Sequence, residues 1–246
     1  MNPSMPARRR GGFVALLAGL ALATAVATGV VGTENSASAA HEAHGHATAS
    51  HDAASHGTTG HEARARSISK ARFQDRMRKL WEDHVTWTRL AIVTFADGSA
   101  SFDATAGRLL KNQEDIGDAI KPYYGKAAGN QLTSLLKDHI TIAVRLLQAA
   151  KDGDDAAFQQ AHADWYANSD DIADFLAQAN PRYWPQDAMR AAMRTHLDQT
   201  LAEASHELTG DYAASVADYD EIHQHILMMS DTLTRGIVRT FPKRFH

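Results

Sequence analysis

The sequence predicts an all-α fold, a six-helix bundle built from three αα-hairpin repeats, on three observations. From Ile68 onward apolar residues recur every three or four positions, as in Leu80, Trp81, Trp87 and Ala91, with no sustained period-two alternation. Glycine and proline punctuate the chain at Gly98, Pro122 and Gly125, Gly153, Pro181, Gly210 and Pro242, which marks about six helices. A histidine-centred string recurs at intervals of 55 and 57 residues.

The first element along the chain reads as an address. Arg8, Arg9 and Arg10 precede an apolar run from Phe13 to Val31, and Ala37-Ser38-Ala39 supplies an A-x-A cleavage site. This is the pattern of an export signal over residues 1–39. Residues 40–66 follow as a linker without Leu, Ile, Val, Met or aromatic residues. Such a composition cannot bury a core, so the segment is expected to be disordered. It carries His41, His44, His46, His51, His56 and His61, neutral donors suited to Zn, Cu or Ni. The helical domain is expected over residues 67–246, with helices near 68–96, 101–121, 127–151, 154–179, 185–208 and 211–240.

The repeat orders these helices. Asp83-His84-Val85-Thr86, Asp138-His139-Ile140-Thr141 and Thr195-His196-Leu197-Asp198 occupy the first helix of each pair. Each histidine stands fourteen residues before a glycine, at Gly98, Gly153 and Gly210, positions that suit helix C-caps. The second helices share Asn112, Asn168 or His225, then an apolar residue, a small one and Asp118, Asp174 or Asp231. Phe102 and Phe158 also correspond, with Ser215 in the third copy. At 1.5 Å per residue both polar positions of a pair lie roughly 20 Å from the shared turn. They are therefore expected to face one another at one height.

These positions continue apolar stripes, so the sequence predicts a buried polar layer. Leaving such a group without a partner costs about 1–3 kcal/mol. The layer must satisfy itself or hold a ligand. In one reading each histidine donates to the Asn or Asp across its hairpin and the network fixes register. In the other, His84, His139 and His196 are metal ligands, with His225, Asn112, Asn168, Asp115 and Asp171 as further ligands or orienting partners. His225 and Met228 replace Asn and Asp in the third copy. That favours a transition metal (Zn, Cu, Ni or Fe) over Mg or Ca.

Other chemistries fare worse. The absence of cysteine removes disulfides, thiolate metal sites and a cysteine nucleophile, and the net charge of −4 offers no basic surplus for nucleic acid. No phosphate-binding glycine loop or G-x-S-x-G elbow is present. Glu203-x-x-His206 and Asp220-x-x-His223 have di-iron spacing, but their distances from Gly210 put them at different heights. Met189, Met193, Met228 and Met229 read as core filler. Tyr123-Tyr124 and Tyr183-Trp184 are expected to cap the bundle at its inter-hairpin corners.

The stretch from Leu80 to Phe245 resembles a bacterial family of helical-bundle proteins. The strings that carry the likeness are His84-Val85-Thr86-Trp87-Thr88-Arg89, Asn112 to Ile116, Pro122-Tyr123-Tyr124-Gly125 and Phe241-Pro242. The resemblance implies a helical fold and brings no activity with it. The expectation is an exported protein that binds or buffers a transition metal, without a membrane anchor once the signal is removed. The alternative is a non-enzymatic module of the cell envelope that binds a protein partner and uses the polar layer only as a hydrogen-bond network.

Overall fold

The computed structural model describes residues 68–246; the segments expected to be an export signal and a linker, with the six histidines of the latter, lie outside the described residues. The described chain is all-helical, with five α-helices: α1 (Lys70–Ala96), α2 (Phe102–Asp152), α3 (Asp155–Ala179), α4 (Gln186–Thr209) and α5 (Tyr212–Thr240). A 3₁₀ turn, Pro242–Arg244, follows. None of these helices is long and apolar enough to cross a membrane. Each helix packs on the next, and α5 returns to α1, so the bundle closes.

The helices expected over 101–121 and 127–151 fall within α2 as two helical segments that join across a kink, with no wider gap between them. Proline at 122 is accommodated within α2, and the departure from helical backbone is confined to Gly125, at φ 88° and ψ 166°. That region is open essentially to glycine alone. The segments on either side meet closely. A Cβ added at Gly117 would lie 2.6 Å from the Gly129 carbonyl oxygen.

Local signals stop and start the other helices. Gly98, Gly153 and Gly210 all have positive φ. At each, the residue after the glycine donates to a carbonyl five residues back: Ser99 to Thr94, Asp154 to Ala149, and Asp211 to His206, at 2.9–3.0 Å. The glycine itself donates to Phe95, Ala150 or Glu207. This is the double bond pattern of a Schellman stop, which needs a left-handed residue at its end. After Gly153 and Gly210 the next helix begins on a side-chain cap: Asp154 accepts from the Ala157 amide at 3.0 Å and Asp211 from Ala214 at 3.2 Å. Carboxylates suit that end because they meet unpaired N–H groups and the positive pole of the helix.

The core runs the length of the bundle through Trp81, Ile116, Trp165, Ile172, Leu197 and Ile226, all buried. Aromatic residues close the end away from the glycine turns. Tyr123 packs against Phe73 and stacks on Phe245, while Tyr124 meets Trp184 and Phe241. Backbone bonds between Ile68 and the Arg244–His246 segment tie the two ends of the described chain together there.

Candidate functional site

Three helices deliver His84, His139 and His196 to one place. Each ring sits on the inner stripe of its helix, one turn from Leu80, Leu135 or Ala192, and each residue is buried. The His84 and His196 ring centres are 5.6 Å apart, and those of His139 and His196 are 6.4 Å apart. All three rings line a single cavity of about 50 Å³, with apolar walls that include Leu109, Ile140 and Trp165.

Burial sets the charge of the trio. Removal from water lowers the pKa of His84 to about 3, with His139 adding repulsion. The same desolvation lowers His139 to about 4, partly offset by its bond to Asn168. His196 is pushed well below the ordinary imidazole range, by burial first and then by the neighbouring histidines. At neutral pH these are three uncharged imidazoles, the protonation state that binds metals.

Their hydrogen bonds are unequal. Asn168 Nδ2 donates to the Leu135 carbonyl at 3.1 Å, so its Oδ1 is free to accept from His139 Nδ1 at 2.9 Å. This fixes the tautomer and leaves His139 Nε2 with the lone pair. Around His84 the supply is short. Gln113 Nε2 faces Leu109 O at 2.8 Å, Asn112 Oδ1 at 3.2 Å and His84 Nδ1 at 3.3 Å. An amide has two protons for these three acceptors, and His84 is the most distant. His196 Nδ1 is buried without any partner. One ring is therefore anchored, one loosely held and one free at its Nδ1.

The other five expected ligands do not face the cavity. Asn112, Asn168 and His225 instead perform one structural task three times. Asn112 donates to Leu80 O at 3.0 Å, Asn168 to Leu135 O, and His225 Nε2 to Ala192 O at 2.9 Å. In every case the acceptor lies four residues before the layer histidine. Asp115 is held at the surface by Lys111 at 2.9 Å and Arg108 at 3.8 Å, and Asp171 is exposed. Both stand three residues beyond the buried Asn, on the flank of the stripe, where a short carboxylate reaches water. Met228 is 62% exposed. Among the described residues, no group of three or more His, Cys, Asp or Glu side chains is drawn together in a geometry that could hold a metal ion as it stands.

Sequence reasoning missed a second buried polar group near the Gly210 turn. Arg89 reaches Glu203 at 3.0 Å and Glu207 at 3.2 Å, with both carboxylates almost fully buried. Ser215 donates to Glu207 at 2.6 Å and accepts from Arg89. Desolvation raises the pKa of Glu203 to about 7, against the opposing pull of Arg89. The signal was a break in the repeat. The positions of Glu203, Glu207 and Ser215 are filled in the first copy by Ala91, Phe95 and Phe102.

Comparison of the chain with family models, curated proteins and solved structures finds no match.

Proposed function

We propose that this chain is an exported transition-metal-binding protein, with His84, His139 and His196 taking one ion in the bundle and the linker histidines capturing ions loosely outside it. The observation that carries the reading is the convergence of three neutral imidazoles on one cavity, with His196 Nδ1 unpartnered. Zinc bound by imidazole nitrogens at about 2.0–2.1 Å would set ring centres about 5 Å apart. The 5.6 and 6.4 Å separations are slightly wider. Binding therefore requires a modest inward turn of His84 and His196, the two rings least restrained by hydrogen bonds. Zn, Cu, Ni and Fe all suit such donors.

The finer architecture belongs to the same reading. Three hairpins, or six helices with a break at Gly125, would place the trio by pseudo-threefold symmetry. Support comes from the threefold repetition of the Schellman stop and of the bond to the carbonyl four residues before each histidine.

Zinc stoichiometry by elemental analysis, on the full chain after gel filtration, tests the proposal. His196→Gln should bind one ion fewer per chain than the wild type while keeping its helical circular dichroism. Equal stoichiometry defeats the core site. A second reading, an envelope interaction module with a structural polar layer, is favoured by the absence of a ready metal geometry among the described residues. It expects chelators to leave thermal stability unchanged.

A further inference from the structure

The layer histidines are not the only unassigned donors. His225 shares a second cavity, of about 230 Å³, with Met189, Met193, Met228 and Met229. Met189 and Met193 lie one turn apart on α4; His225, Met228 and Met229 lie within one turn on α5. Three of the thioethers belong to buried residues, while Met228 stands exposed at the rim. His225 keeps one ring nitrogen uncommitted. Its Nε2–H is committed to the Ala192 carbonyl, so the lone pair is on Nδ1.

The repeat shows how specific this concentration is. The second copy has Leu132, Leu136, Asn168, Asp171 and Ile172 at the five equivalent positions, and the first has Met77, Trp81, Asn112, Asp115 and Ile116. In the third copy all five are thioether or imidazole donors. Packing alone does not ask for this, since leucine and isoleucine fill the same places in the second copy. Replacing Asp by Met at the exposed position 228 contributes nothing to a core.

We infer that this α4–α5 cavity is a soft-metal site, in which neutral thioethers and His225 Nδ1 hold a monovalent ion of the Cu(I) or Ag(I) class. Uncharged sulfur donors favour such ions over harder divalent ones. The site shares no ligand with the layer trio and does not depend on it.

The test uses the full chain carrying ¹³C-methyl methionine, titrated with Ag(I) and followed by NMR. At one equivalent, the methyl signals of at least two of Met189, Met193 and Met229 should shift together with that of Met228, while Met77 stays in place. A Met189→Leu, Met193→Leu, Met229→Ile variant, folded by circular dichroism, should bind Cu(I) at least tenfold more weakly in competition with a colorimetric chelator. The proposal is overturned if none of the four methyls moves, if only Met228 moves, or if the variant binds as tightly as the wild type.

Discussion

The two buried polar groups of this bundle solve one problem in opposite ways. At the histidine layer, burial drives the imidazoles neutral, and the remaining cost is an unmet hydrogen bond at His196 and a long one at His84. At the Arg89 cluster, one guanidinium is paired with two buried carboxylates, and the cost falls on Glu203, whose ionisation burial opposes. A neutral, under-satisfied group is poised to accept a partner. A mutually satisfied cluster has already found its partners within the chain. The layer is accordingly the candidate site, and the cluster reads as a cross-link between α1, α4 and α5.

The contrast is broken most forcefully at Arg89. Arg89→Met leaves Glu203 and Glu207 buried without a cation and should destabilise by roughly 3–5 kcal/mol, read from the urea unfolding midpoint. The layer should respond to pH instead. Folded-state values of about 3 and about 4 lie below the ordinary imidazole value of 6.5. The unfolded chain therefore takes up protons that the folded chain refuses. Stability is complete above about pH 6.5 and is lost as pH falls toward 4, by roughly 1.4 kcal/mol per pH unit for each imidazole. Thermal unfolding between pH 7 and 4.5 checks this, and His84→Gln should flatten the slope.

Glu203 carries the opposite sign. Its folded pKa of about 7 stands above the ordinary 4.5, so stability is lost as pH rises between those values. Glu203→Gln should gain on the wild type across that window; a constant difference from pH 4.5 to 8 would remove the proposed cost of ionisation. Gly125→Ala forces a side chain into backbone suited to glycine and should cost about 1–3 kcal/mol, seen as a lower urea midpoint. The smallest effect belongs to the surface clamp of Arg78 on Asp231. Arg78 and Gln74 hold the Asp231 carboxyl below its usual range. That stabilisation is present above about pH 4 and fades in acid, so Asp231→Asn should shift the melting temperature only slightly and only above that pH.

Much of this was legible in the sequence because helices repeat their geometry. The histidine spacing located the trio, and the glycines located three identical helix stops. What escaped was angular and chemical detail. Periodicity places a residue on a face but does not distinguish the seam at Asn112 from its flank at Asp115, so the carboxylates were expected too deep. Proline at 122 signalled a wider break than the single residue Gly125 that carries it. The Arg89 cluster was hidden because Arg89 and Glu203 are 114 residues apart along the chain, and only their packing reveals the pair.

The most direct test of a metal at the trio is the visible spectrum of the full chain titrated with Co(II). Four-coordinate cobalt on buried imidazoles absorbs strongly, whereas cobalt on solvated histidines is six-coordinate and nearly colourless. Strong bands that saturate at one equivalent, and vanish in His196→Gln, are the expected result. Only the weak six-coordinate spectrum, unchanged by that substitution, would contradict a metal at the histidine layer.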